Sequence, residues 1–145
     1  MTETRKTADE LFQEGLERYK NGESAASLIP LFEEITDRQP KVANGWVCLA
    51  WLYLLDDKAP LAVKAAQKAV KLAPEDPQAH INLAIALLDA NQKGVREHVE
   101  AAKNWLILFK DLKAEIVENF EEGLRRKPDW KSMIKVRDWV LATSS

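Results

Sequence analysis

The sequence predicts an all-α fold of antiparallel helix–turn–helix repeats, seven or eight helices in a single domain spanning residues 1–145. Three observations lead there. The 145 residues hold only five Gly and six Pro, with no Ser/Gly-rich tract, which favours helices and leaves no room for a long flexible linker. Apolar residues recur at helical spacing along nearly the whole chain. Pro40 and Pro74 stand 34 residues apart, and the residues before each repeat one small and apolar pattern at that interval.

The pattern is sharpest in the centre. Trp46, Leu49, Ala50 and Tyr53, then Ala62, Ala66, Ala69 and Pro74, predict helices over 41–55 and 59–73. One period earlier stand Phe12, Gly15, Leu16, Tyr19, Leu28, Phe32, Ile35 and Pro40, which predict helices over 6–20 and 24–38. Pro30 strains the second of these, because proline removes a helical hydrogen bond and crowds the preceding turn. Either the helix starts at Ser27 with Pro30 in its first turn, or it kinks. One period later His80, Leu83, Ala84 and Leu87 predict a helix over 77–90. Asp76-Pro77 opens it as cap and first helical residue.

Beyond residue 90 the period slips. The next small residue is due at Arg96, whereas Ile116, Phe120, Gly123 and Pro128 fit the second-helix pattern, Pro128 lying 54 residues after Pro74. An insertion over 93–112 is expected, with Ala101, Ala102, Trp105, Leu108, Phe109 and Leu112 at helical spacing. It is either a separate helix, 94–112, ahead of one at 113–127, or the front of a single long helix. A last helix, 129–142, with Asp129 as its cap and Trp130, Met133, Ile134, Val136, Val140 and Leu141 as apolar positions, is expected to cover the end of the array. The repeats then run at about 9–42, 43–76 and 77–128.

The central pattern resembles the tetratricopeptide repeat (TPR), with Ala50 in place of its usual Gly and Ala66 in place of its aromatic. The resemblance covers 9–90 well, 113–128 more weakly, and the insertion not at all. It implies a right-handed superhelix whose first helices line a concave groove, and a protein–protein interaction role as scaffold, adaptor or assembly factor. It does not extend to the carboxylate clamp by which such grooves hold chaperone C-termini. Gln13 and Glu17 stand where Lys and Asn are needed, Cys48 replaces Asn, and Gln78 and Asn82 replace Lys and Arg. A chaperone C-terminal carboxylate is therefore not the expected ligand. The groove-facing places hold Asn44, Val47, Trp51, Leu54, Leu55, Gln78, Ile81, Ile85, Leu88 and Asp89. So apolar a set calls for cover, by a partner's amphipathic helix or extended peptide or by this chain's own last helices. Trp51 is the expected anchor. Trp46, Trp105, Trp130 and Trp139 read as core.

Charge and composition narrow the function further. A net charge of −2 exerts no general pull on nucleic acid or anionic lipid. Acidic residues concentrate in 9–34 and basic ones in 125–138, which read as solvated faces or as ends that orient a partner. Lys64, Lys68 and Lys71 form a stripe that reads as outer face. One cysteine, Cys48, excludes an internal disulfide and reads as a buried, inert thiol. Residues 1–6 carry no leader-like apolar stretch, and the longest apolar run, 47–55, is too short to span a bilayer. A soluble, cytoplasmic protein without membrane insertion is expected.

Neither the spacing of His80 and His98 nor any Gly-rich loop points to catalysis, a metal or a cofactor, so no enzyme is expected. An alternative is a nucleic-acid-binding repeat using Arg125, Arg126, Lys127 and Lys131 around Trp130, although nucleic acid is not the expected partner. The chain is also similar to small TPR proteins of phototrophic bacteria, some of which assist assembly of photosynthetic complexes.

Overall fold

The structure, a computed structural model, describes residues 5–142. Residues 1–4, part of the segment read above for a leader, lie outside it. The described chain forms eight α-helices and one short 3-10 turn, with no strand. They are α1 (Ala8–Lys20), α2 (Ala25–Arg38), α3 (Ala43–Leu55), α4 (Ala59–Leu72), α5 (Pro77–Asp89), α6 (Val95–Leu108), α7 (Lys113–Arg126) and α8 (Lys131–Leu141), with the 3-10 turn Lys110–Leu112 before α7.

Local chemistry sets most of the boundaries. Thr7 and Glu10 form a reciprocal capping box at the start of α1. Ser24 caps α2, so that helix starts before Ser27 and carries Pro30 in its interior. Pro30 is exposed, and so is Ala26, whose carbonyl loses its amide partner; water can replace the missing bond. Asp76 caps α5 through the amide of Gln78 at 2.9 Å, with Pro77 first in the helix as expected. Three helices stop one residue before a proline, at Gln39, Ala73 and Lys127, with φ near −131°, −139° and −135° and ψ of 68°, 73° and 79°. Proline excludes helical geometry from the residue before it. Asp129 is not the cap of α8; Trp130 holds that place and makes no side-chain cap bond.

Each helix from α1 to α5 packs on the next, and α3 also packs on α5. The third pair is thus α5 with α6, which corrects the insertion placed at 93–112. The turn between α5 and α6 runs over 90–94, two residues longer than the turn over 56–58 between α3 and α4. Asn91 and Gly94 take left-handed conformations in it, φ 58° and 107°. A 36-residue shift restores the register, so that Val99, Ala101, Ala102 and Leu106 repeat Val63, Ala65, Ala66 and Val70. The departure from the repeat is the segment leading through α7. The sequence is two helices rather than one, broken at Phe109.

The core runs through the whole stack. Ala50, Ala62, Ala66 and Ala69 have no exposed surface, so the two residues that depart from the repeat pattern are small where helices meet. At Gly15 an added Cβ would lie 2.5 Å from the Phe32 ring, which explains glycine there. Helix α8 packs on both α5 and α6 and closes that end of the array.

Candidate functional site: a concave face shared with its own helix

Side chains of α1, α3 and α5 form one face, and α7 lies across it. Two cations fasten its end. The Arg126 guanidinium donates to the Tyr19 carbonyl at 2.8 Å and the Glu23 carbonyl at 3.0 Å, pairs with Glu122 at 3.1 Å, and stacks 3.9 Å over the Tyr19 ring. The Lys127 ammonium donates to the Leu54 carbonyl at 2.9 Å and to Asp57 at 2.7 Å, 4.1 Å over the Trp130 ring. Both cations meet the C-terminal ends of helices, α1 and α3, where the helix dipole attracts positive charge and the Tyr19 and Leu54 carbonyls, already bonded to turn amides, have a second lone pair to offer.

The contact continues along α7. The Tyr19 hydroxyl donates to Glu122 and accepts from the Trp51 indole N–H at 2.9 Å. Burial, then the Glu122 carboxylate, pushes the Tyr19 hydroxyl well above the usual phenol range, so it stays a donor. Asn119 donates to Gln78, Gln78 to Asn82 and Asn82 to the Val47 carbonyl, at 2.9, 2.7 and 3.0 Å. Gly123 lies where a Cβ would meet Met133 at 2.8 Å and Trp51 at 2.9 Å. Only a residue without a side chain lets α7 come this close.

Beside α7 a cavity of about 530 Å³ remains open. Phe12, Leu16, Val47, Cys48 and Trp51 form its apolar walls, with Ile116 and Leu112 from the α7 side. Asn44, Gln78 and Asn119 give it polar edges. Of the residues expected in the groove, Asn44, Val47, Trp51 and Gln78 line this cavity. Leu54, Ile81 and Ile85 are 1%, 0% and 0% exposed, and Leu88 is half-buried outside it. Those three large side chains are core in this fold, because α8 packs on α5 and Lys127 closes over the end of α3.

The remaining readings sort themselves by contact. Cys48 is half-buried on the cavity wall, and burial, aided by Asp76, pushes its thiol up to about 12. His80 is buried, with its Nε2 at 2.6 Å from the Pro74 carbonyl, which can only accept. Its Nδ1 lies 3.0 Å from Nδ1 of His98, the rings stacked at 5.2 Å, so one hydrogen serves both nitrogens. Burial and the neighbouring His80 hold the His98 imidazole below its ordinary range. Among the described residues no three His, Cys, Asp or Glu side chains gather as a metal site.

Trp130 is 5% exposed and donates to Asp89 at 2.9 Å, and Arg126 and Lys127 are engaged internally, so the basic run offers no interleaved aromatic stripe. Trp46 and Trp105 are half-buried, whereas Trp139 is 46% exposed and is not core. No helix of the described residues is long and apolar enough to cross a membrane. Sequence reasoning missed Tyr19, Arg126 and Lys127 as fastenings. Apart from Glu122 and Trp130, their partners are backbone carbonyls and side chains that lie far away in the sequence, which leave no residue pattern to read.

No family model matches the sequence. The structure is similar to the translocator chaperone SycD of Yersinia enterocolitica type III secretion, with a TM-score of 0.67 at 12% identity over 86% of this chain and 94% of that one. It is similar to the first TPR domain of Spaghetti (RPAP3) bound to the HSP90 peptide SRMEEVD, with a TM-score of 0.55 at 19% identity over 95% and 94%. The first TPR domain of human RPAP3 aligns with a TM-score of 0.54 at 18% identity over 91% and 88%. The chain therefore has the fold of a TPR-type helical repeat. Within that class it is an array whose concave face is partly filled by its own seventh helix.

Proposed function

We propose that this protein is a non-enzymatic interaction module that holds an extended protein segment in the cavity beside Trp51. The observation that carries the reading is that cavity. A half-buried tryptophan and an apolar wall stay open next to a groove otherwise filled by α7. Apolar walls with a few polar edges are what a peptide side chain and its backbone need. A helix with its side chains is about 10 Å across, and α7 already holds that place, so an extended segment fits better than an amphipathic helix. The neighbours support an interaction role: one domain of this fold is bound to a peptide and another is a translocator chaperone. The clamp residues are absent from this chain, so the segment is not recognised by a terminal carboxylate. The reading extends to a scaffold or assembly factor in the cytoplasm.

Affinity capture from the native host, read by mass spectrometry, tests it with two variants. Val47→Glu places a charge on the open wall, and Lys64→Glu alters an exposed residue of α4. A protein retained by the wild type and by Lys64→Glu, and lost with folded Val47→Glu, supports the site. The same proteins retained by all three would remove it.

A further inference from the structure

We propose that the cavity beside Trp51 selects a basic segment, in which one large apolar side chain enters the cavity and a neighbouring arginine or lysine meets the carboxylates on its α7 side. This rests on the reading of the cavity as a segment-binding site and adds what the segment must carry. Five charged side chains line the cavity: Asp76, Glu115, Glu118 and Glu122 are acidic, and Lys20 is basic. Glu122 is neutralised by Arg126 at 3.1 Å. Asp76, Glu115, Glu118 and Lys20 form no ion pair among the described residues. Three carboxylates therefore face one ammonium, which leaves the lining with an excess of negative charge. The basic residues near the lining, Lys41, Lys110 and Lys113, are matched by Glu17, Glu75 and Asp111, so the flanks leave that excess in place.

The apolar walls make that excess count. A cleft of low dielectric lined by one sign of charge focuses the field on whatever enters it. Asp76 is half-buried, and burial raises its carboxyl above the ordinary range; a cation in the cavity would lower it again. The Asp76 charge also adds to the burial that raises the Cys48 thiol, so negative potential reaches the apolar wall itself. Phosphates and carboxylates are repelled by such a lining, and cationic side chains are drawn to it. An extended segment sets residues two apart on one face, about 6.5 Å from each other. An apolar residue beside Trp51 and a long cationic side chain two positions away can then both be placed, the second reaching towards Glu115 and Glu118 on its flexible stem. The Asn44 amide at the cavity edge can pair with the backbone of the segment.

The test is selection of a random peptide library, displayed on phage, against the full chain. An enriched peptide, synthesised with a fluorophore, is then titrated by anisotropy. Enriched peptides should carry a large apolar residue with arginine or lysine one or two positions away, and added salt should weaken their binding. Glu115→Gln/Glu118→Gln should weaken it by about tenfold. Selection on Glu115→Lys/Glu118→Lys should enrich acidic peptides instead. Both positions are exposed, and circular dichroism checks that the variants stay folded. Val47→Gln, which puts a polar but uncharged group on the open wall, should also weaken binding by about tenfold. Neutral or acidic peptides that the wild type enriches and Val47→Gln releases would overturn the basic preference and leave the cavity as a binding site. Peptides indifferent to Val47→Gln would overturn both. Basic peptides indifferent to Glu115→Gln/Glu118→Gln, or no enrichment by the wild type, would overturn the proposal as well.

Discussion

Gly123→Ala should destabilise the protein by about 1 kcal/mol, and the sign of that change is informative. In a solvated helix the same substitution stabilises by about 1 kcal/mol, through helix propensity. At Gly123 the new methyl would lie 2.8 Å from Met133 Sδ and Cε and 2.9 Å from Trp51 Cζ2. Met133 is fully buried and cannot swing into water. Trp51 is held by its bond to the Tyr19 hydroxyl and lies 6.1 Å from the Trp130 ring at a 52° tilt. Overpacking of this kind costs about 1–3 kcal/mol, which exceeds the propensity gain over most of its range. The melting temperature should fall by about 2–4 °C. Gly123→Val, which adds more bulk and gains less propensity, should lose more. Urea unfolding followed by circular dichroism and tryptophan fluorescence measures both. A Gly123→Ala protein more stable than wild type by about 1 kcal/mol would refute the reasoning, because it would place Gly123 in solvent and α7 away from Trp51.

Arg126→Ala removes two charge-assisted bonds to backbone carbonyls and should cost about 2 kcal/mol, with faster hydrogen exchange in α7 than in α3; unchanged α7 protection would show that the guanidinium does not fasten it. The His98 imidazole, held low by burial and by His80, should make stability fall as pH drops below about 6.5, because the unfolded chain binds the proton first. That decline should shrink in His98→Asn, and an identical acid slope in wild type and variant would contradict it. Cys48, with its thiol pushed up to about 12, should react with iodoacetamide at pH 8 roughly a thousandfold more slowly in the folded protein than in urea. Equal rates in the two states would mean that the cavity wall does not desolvate the thiol.

The helices were largely legible in the sequence because their signals are local. Pro40, Pro74 and Pro128 stop helices by the same steric rule wherever they occur, and Asp76-Pro77 starts one. Helix pairing was less legible. Pro128 ends α7 as it would end the second helix of a repeat, yet α5 pairs with α6, because two extra turn residues shifted Val99, Ala101 and Ala102 out of the 34-residue frame. Of the two alternatives at Pro30, the start at Ser27 does not occur: Ser24 is a stronger start signal than Pro30 is a breaker on an exposed face.

The candidate site divides along the same line. Val47 and Trp51 line the cavity, while the equally apolar Leu54, Ile81 and Ile85 are buried. Hydrophobicity alone does not distinguish a groove from a core. The difference is made by α7 and α8, whose contacts join residues 41 to 107 positions apart. Leu108 and Phe109 share helical spacing with Trp105 and Leu112. Those two are exposed, because the helix breaks at Phe109 before the stripe meets a neighbour, whereas Leu106 is buried.

The central claim is that α7 shares the concave face and leaves Trp51 with one wall open. Nuclear Overhauser spectroscopy of the isotope-labelled protein tests it most directly. Cross-peaks should join the Gly123 α-protons to the Trp51 ring, and the Trp51 indole N–H to the Tyr19 ring. The Val47 methyls should meanwhile respond to a soluble paramagnetic probe that enters the open cavity. Loss of the Gly123–Trp51 cross-peak in a folded protein would contradict the account, because it would leave the whole groove empty.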